Sequence, residues 1–419
     1  MKEIIVEGRN PLKGEIAVSG AKNAVLPLMA ATLLCEGVCV IDDAPRLADV
    51  STMCRVIEGL GADCDFHSGT LEIDTSGICS VQAPEEPVRQ MRASFLVMGP
   101  LLAKYGMARI SLPGGCAIGA RPIDLHLKGL EALGAKITIE DDYIEAKAKQ
   151  LFGTRIYLDF PSVGATENLM MAAVLAQGNT VIENAAAEPE IVDLANLLGA
   201  MGAKIKGAGT KVIRIAGVAS LHPARHTVIP DRVEAGSFML AAAATGGDLL
   251  VTTVIPEHLK PISAKLQEAG IKVEESYDWI RVKSNGMAQA VDIKTLPYPG
   301  FPTDLQAQFM AFLATAGGTS IVTETVFENR FMHVRELAKM GAKIEIDKHS
   351  AIVHGVPRLH GASVRATDLR AGAAMIIAGL MAEGKTTISD VFHIERGYEN
   401  ICQKLAGAGA KIVMKGKPW

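Results

Sequence analysis

Short apolar segments built from Ala, Leu, Met, Ile and Val recur along the chain, each entered through polar residues and closed by a glycine. The closing glycines are Gly37, Gly106, Gly178, Gly247, Gly318 and Gly384, and β-prone residues follow each of them. A second phrase keeps step: Leu60-Gly61-Ala62-Asp63, Leu133-Gly134-Ala135-Lys136, Met201-Gly202-Ala203-Lys204, Ala269-Gly270-Ile271-Lys272, Met340-Gly341-Ala342-Lys343 and Ala408-Gly409-Ala410-Lys411. Two independent markers in phase, each returning after about 70 residues, define six copies of one unit.

The pattern inside one copy predicts its elements. In the third, Arg155–Phe160 reads as a strand, 164–177 as a small-residue helix and Thr180–Glu183 as a strand. Residues 188–201 then form an amphipathic helix stopped by Gly202, and Lys204–Lys206 with Lys211–Ile215 make a hairpin across Gly207–Gly209. The order βαβαββ is an α/β unit with a mixed (α+β-type) sheet. The first helix of each copy is apolar nearly all round, so three are expected to pack together inside each half with sheets outside.

The chain ends refine the domain reading. Copy six stops after Lys411–Met414, short of its last strand, while Glu3–Glu7 is a spare strand ahead of Glu15–Ser19. The expected domains are therefore 22–229, and 1–21 together with 230–419. Two connections, near Gly20 and through His222–Pro230, would cross between them, an arrangement that favours hinge closure of a shared cleft.

Composition narrows the function. A length of 419 residues suits two domains, and 49% hydrophobic against 21% charged residues supplies both cores. Aromatics are only 5% and the net charge is −4 with no long basic run, which argues against nucleic-acid and membrane-surface partners. Neither the N-terminal residues nor a run such as Ser94–Ala103 is long and apolar enough for a signal peptide or a membrane span. Seven cysteines without a CxxC pair read as reduced thiols in a cytoplasmic protein, Cys35 and Cys39 being buried and no metal-ligand set present.

The chemistry gathers where helices begin. First-helix starts carry Lys22-Asn23, Arg92, Ser162-Val163-Gly164, Asp231-Arg232, Thr303-Asp304 and Asp368 with Arg370; second-helix starts carry Arg46, Cys116 through Asp124, Glu188, Asn329-Arg330 and Glu395-Arg396. Helix N-termini suit phosphate and carboxylate, and arginine offers them a forked donor. Asp, Glu and Ser at these places also serve as ordinary caps. Basic residues there oppose the helix dipole, so Lys22, Arg92 and Arg396 call for a compensating anion, and a small polyanion is the natural ligand. Leu112 through Pro122 is a Gly-rich loop holding Cys116, with Arg121 close behind to lower the thiol pKa for proton donation or nucleophilic attack. Asp304, after Pro299-Gly300-Phe301-Pro302-Thr303, is the candidate general base or a helix cap.

The segments Ser19-Gly20-Ala21-Lys22-Asn23-Ala24, Met91-Arg92-Ala93-Ser94, Pro113 through Pro122 and Phe301-Pro302-Thr303-Asp304-Leu305-Gln306-Ala307-Gln308 resemble the UDP-N-acetylglucosamine 1-carboxyvinyltransferases of the enolpyruvate transferase family. So do Thr323 through His333, Ala366-Thr367-Asp368-Leu369-Arg370 and Arg396-Gly397-Tyr398-Glu399, so the resemblance spans the chain. It implies a two-domain inside-out α/β barrel of six repeats and transfer of enolpyruvate from phosphoenolpyruvate to the 3′-hydroxyl of UDP-N-acetylglucosamine, through a tetrahedral ketal, in peptidoglycan synthesis. By this resemblance Cys116 donates a proton and is the target of fosfomycin, Asp304 takes or orients the hydroxyl proton, and Arg396 joins them as a catalytic residue. Lys22, Asn23, Arg121, Arg370 and Arg396 would hold phosphoenolpyruvate. Asn23, Arg92, Arg121, Pro122, Ile123, Asp124, Leu125, Ser162, Val163, Gly164, Asp304 and Val326 would hold the UDP-sugar. No metal, organic cofactor or obligate protein partner is implied. Some members carry a basic residue before the Ser-Val-Gly stretch, where this chain has Phe160-Pro161. Two other readings are transfer to shikimate 3-phosphate, which does not call for the Cys116 loop, and a non-catalytic repeat-built binding protein.

Overall fold

The structure is a computed structural model that describes residues 2–112, 123–328 and 330–416. Its plan is clear in the third repeat. Arg155–Tyr157 lies parallel to Asn179–Glu183, which runs antiparallel to Val212–Ala216, and Lys204–Lys206 pairs on the far side of Val212–Ala216. Helices Val163–Ala173 and Pro189–Ala200 make the two crossovers. The glycines of the second phrase, Gly61, Gly134, Gly202, Gly270, Gly341 and Gly409, all have φ between 86° and 106°. That left-handed turn is strained for any residue with a side chain, which is why glycine marks every copy.

Burial follows the patterning. Val38–Asp42, Met107–Ser111, Asn179–Glu183, Asp248–Thr252 and Lys385–Ser389 each bury alternate residues, so each sheet has one face inward and one outward. The first helices are buried nearly all round, as in Lys22–Ala31, Arg232–Thr245, Gln306–Leu313 and Leu369–Met381.

The chain forms two compact units, one of residues 2–19 with 230–416 and one of residues 20–112 with 123–229. In the first unit, helices Arg232–Thr245, Gln306–Leu313 and Leu369–Met381 pack on one another around a core that includes Ile4, Val6, Phe238, Phe309 and Phe312. In the second, Lys22–Ala31 and Val163–Ala173 both pack on the 3-10 helix Arg92–Val97, and Val163–Ala173 also packs on Met98–Tyr105. Glu3–Glu7 lies inside the sixth sheet, antiparallel to Lys385–Ser389 on one side and to Lys411–Lys415 on the other. Lys13–Ala17 is the parallel edge strand beside Asp248–Thr252.

Among the described residues each sheet has four strands or three and lies open against helices, with helices inside and sheets outside as the inside-out architecture implies. Three expectations need correction. The segment His222–Pro230 is more than a connection, because Arg225–Thr227 pairs in parallel with Val40–Asp42. With the first 19 residues given to the other unit, this strand completes the first repeat, and Arg225 fixes it through two bonds to Asp42 of 2.6 and 2.8 Å. The second repeat reduces its first strand to a single bridge between Gln82 and Arg109. In the fourth, Gly246 rather than Gly247 takes the left-handed position, at φ 67°.

Candidate active site

In the first unit, Pro302 leads into a 3-10 turn, Thr303–Leu305, that opens helix Gln306–Leu313. The turn leaves the Asp304 carboxylate out of the capping position and gives it to two arginines. Arg330 Nη2 donates to Oδ1 at 2.8 Å and Arg370 Nη2 to Oδ2 at 2.6 Å. Burial pushes the Asp304 carboxyl up, but Arg370 and Arg330 outweigh it and hold the group well below the usual carboxylate range. Burial pulls the Arg370 guanidinium down, and the Asp304 charge more than restores it. Arg370 sits in the first turn of Leu369–Met381, where a cation opposes the helix dipole, and Asp304 is the compensating charge.

Glu324 orders the neighbouring corner. Its buried carboxylate accepts from Thr295 Oγ1 at 2.7 Å, Thr303 Oγ1 at 2.7 Å and the Val326 N–H at 2.8 Å. Arg330 Nη1 donates to the same Thr303 hydroxyl at 2.8 Å. Val326, Thr303 and Asp304 are thereby tied together. Asp231 and Asp368 are helix caps, accepting from Val233 and Glu234 N–H and from Arg370 and Ala371 N–H respectively. The dipole argument fails for Arg396, which follows helix Phe392–Glu395 at its C-terminal end, where a cation is favoured.

In the second unit, Lys22 opens helix Lys22–Ala31, and its Nζ lies 3.0 Å from Oδ2 of buried Asp49 in the first turn of Ala48–Glu58. The anion that Lys22 calls for is thus present in the protein itself. Asn23 follows on the same turn. A second corner forms around His126, on helix Asp124–Ala132. Its Nδ1 lies 3.1 Å from Asn168 Nδ2 and its ring meets Phe95 edge-on at 5.2 Å. A Cβ on Gly164 would come within 3.3 Å of the imidazole, so glycine there lets ring and helix approach. Burial first, then the Arg92 charge, pushes this histidine down to about 3, and it stays neutral. The corner therefore gathers Arg92, Gly164, His126 and Asn168, with Ile123, Asp124 and Leu125 at the start of the His126 helix. Ser162 caps Val163–Ala173, its Oγ accepting from Ala165 N–H at 3.3 Å.

Cys116, Arg121 and Pro122 lie outside the described residues. Lys22, Asn23, Arg92 and Ser162–Gly164 belong to one unit, and Asp304, Val326, Arg370 and Arg396 to the other. No local sequence pattern marks Glu324, Asp49 or His126, and Arg330 stands out only as a polar residue near a helix start. Among the described residues no cluster of His, Cys, Asp and Glu is arranged to hold a metal, and no helix is long and apolar enough to cross a membrane.

The fold is that of an enolpyruvyl transferase: the model of the family described as EPSP synthase (3-phosphoshikimate 1-carboxyvinyltransferase) matches residues 6–405, and the chain belongs to that family. Full-length similarity sets it beside the UDP-N-acetylglucosamine 1-carboxyvinyltransferases. It is 62% identical over 414 residues to UDP-N-acetylglucosamine 1-carboxyvinyltransferase 2 of Carboxydothermus hydrogenoformans, covering 98% of this chain and 99% of that protein. It is 60% identical over 413 residues to UDP-N-acetylglucosamine 1-carboxyvinyltransferase 1 of Caldanaerobacter subterraneus subsp. tengcongensis, covering 99% of both. Among solved structures, the enolpyruvyl transferase NikO from Streptomyces tendae superposes with a TM-score of 0.89 at 24% identity, over 100% of this chain and 99% of the other. EPSP synthase from Acinetobacter baumannii gives a TM-score of 0.77 at 19% identity, over 99% and 100%. At those identities the two structures speak for the fold alone.

Proposed function

We propose that the protein transfers the enolpyruvyl group of phosphoenolpyruvate to the 3′-hydroxyl of UDP-N-acetylglucosamine with release of phosphate, a step of peptidoglycan synthesis. The observation that carries this reading is identity of 56% to 62% along nearly the whole chain to four relatives that bear the name of that reaction. A cytoplasmic place and two small-molecule partners accord with such substrates.

The chemistry asks for a proton onto C3 of phosphoenolpyruvate as the sugar oxygen bonds to C2. The sugar hydroxyl then loses its proton, and the tetrahedral ketal expels phosphate while C3 gives its proton back. In this reading Cys116 and Arg121, outside the described residues, supply the proton donor and an anion contact, and Lys22, Asn23, Arg370 and Arg396 hold phosphoenolpyruvate. Asp304 accepts the hydroxyl proton. Its low basicity is no obstacle, since an alcohol oxygen bonded to an electrophilic carbon is a far stronger acid than a free alcohol, and a carboxylate kept ionised is always ready to accept. Asn23, Arg92, Arg121, residues 122–125, Ser162–Gly164, Asp304 and Val326 receive the UDP-sugar, His126 staying neutral in its corner while Arg92 brings positive charge there.

The second reading, transfer to shikimate 3-phosphate, has the family model's own description behind it. Phosphate release from phosphoenolpyruvate separates the two: UDP-N-acetylglucosamine is expected to support turnover and shikimate 3-phosphate is not. The reverse result overturns the proposal, and turnover undiminished in Cys116→Ser overturns the proton-donor role of Cys116.

A further inference from the structure

Behind Asp304 and Arg370 runs a buried hydrogen-bonded chain that the proposed chemistry does not use. Gln308 is wholly buried in the first turn of helix Gln306–Leu313, one turn on from Asp304; its Nε2 donates to the Asp304 carbonyl at 2.9 Å and to Tyr398 Oη at 3.1 Å. A carbonyl only accepts, so the Gln308 amide has one orientation. The Ser237 hydroxyl donates to the Val233 carbonyl at 2.8 Å, which leaves its oxygen to accept from the Tyr398 hydroxyl, also at 2.8 Å. The protons thus run one way, from Gln308 to Tyr398 to Ser237 to Val233.

Tyr398 also touches the other parts of the candidate site. Its ring centroid lies 5.9 Å from the Arg370 guanidinium carbon, and it stands two residues after Arg396, with its own N–H bonded to the Ile394 carbonyl at 3.0 Å. Ser237, Gln308 and Arg370 come from the three inner helices of the unit, so one phenol bridges all three near their starts.

We propose that Tyr398 is a positioning residue for enolpyruvyl transfer: through Gln308 it fixes the Asp304 backbone, through its ring the plane of Arg370, and through the chain the turn that bears Arg396. The inference rests on the reaction proposed above. A phenol suits the task because it is rigid, offers a cation-facing ring and ends in one hydroxyl that both donates and accepts. Asp304 and Asp231 are the acidic groups whose charges bear on the Arg370–Tyr398 contact.

Tyr398→Phe keeps the ring and removes the hydroxyl. With phosphoenolpyruvate and UDP-N-acetylglucosamine it is expected to lose about tenfold in kcat/KM for phosphoenolpyruvate, the scale of one internal hydrogen bond. KM for the UDP-sugar changes less, since most of its proposed contacts lie in the other unit, and the acid limb of the pH profile moves to higher pH as Asp304 is held less well. Ser237→Ala, which removes the far partner, is expected to share the same split. Wild-type kinetics and an unmoved acid limb in Tyr398→Phe overturn the inference, as does a loss equal for both substrates that tracks a lowered Tm. Should the wild-type protein release no phosphate, the reaction is at fault; the acid limb of thermal unfolding in Tyr398→Phe then reads Asp304 without turnover, an upward move supporting the positioning role and an unmoved limb refuting it.

Discussion

Asp304 keeps its negative charge because two buried guanidiniums face it, and each contributes separately. Arg330→Gln removes one of them while Arg370 stays. The Asp304 pKa, held well below 3.8 in the native protein, must then rise toward the ordinary range. An ionised Asp304 is the working form, so the acid limb of kcat/KM for phosphate release is expected to climb by about one pH unit or more; a limb that stays where it is assigns the charge balance to Arg370 alone. How much of this was legible varies residue by residue. Asp304 stood out as an acid at a helix start behind prolines. Arg330 did not, because its partner lies 26 residues away and no local pattern encodes that pairing. Lys22 was read correctly as a cation against a helix dipole, yet that rule does not say where the counter-charge sits, and buried Asp49 in the next helix supplies it. Arg396 was misread because a four-residue helix ahead of it turns a start into an end.

At the level of elements, the repeat was readable because its punctuation is glycine at positions that demand positive φ, and such positions resist substitution. Strands with alternating apolar residues were readable for the same kind of reason. Arg225–Thr227 was hidden: Arg-His-Thr is short, polar and without alternation, and what makes it a strand is a parallel partner in Val38–Asp42, far away in sequence. The N-terminal strand is the opposite case, its Ile4 and Val6 fully buried between two neighbours. Truncating Ile4 to alanine is expected to lower unfolding stability by about 2–4 kcal/mol. Val413, on the edge strand beside Ile5 and about half exposed, is expected to cost under about 1 kcal/mol when truncated. Urea unfolding of the two variants measures the contrast; equal losses would mean that Glu3–Glu7 is not an interior strand in solution.

For the molecule as a whole, buried titratable groups set how stability follows pH. His126 and His333 are held neutral, pushed from 6.5 down to about 3 and about 4, by burial first in each. The unfolded chain protonates them below about 6.5 and the native chain does not, so both withdraw stability as pH falls from 6.5. Glu234 acts with the opposite sign. It is buried, accepts from Lys404 Nζ at 2.8 Å and from the Ser19 N–H at 2.7 Å, yet burial outweighs Lys404 and raises it from 4.5 to about 7. The unfolded chain releases that proton first, so Glu234 withdraws stability as pH rises from about 4.5 through 7. Glu167, wholly buried beside Glu190 and Glu188, is raised well above 4.5 by burial first and then by those two charges, and acts with the same sign as Glu234. Between about 4.5 and 6.5 two histidines therefore oppose two glutamates and their slopes nearly cancel; above about 6.5 the histidines no longer act, and the raised glutamates withdraw stability as pH rises. Surface carboxylates such as Asp42 and Asp248, drawn down by hydrogen bonds from Arg225 and Arg281, add to the acid loss only near and below the ordinary carboxylate range. The Tm is therefore expected to change little between about pH 4.5 and 6.5 and to fall above that range. Glu234→Gln, neutral at every pH, should tilt the profile upward with pH between about 4.5 and 6.5 and soften the decline above it. A variant whose Tm profile has the same shape as the wild type would show that Lys404 holds Glu234 ionised, and that burial at this point of the fold does not control its proton.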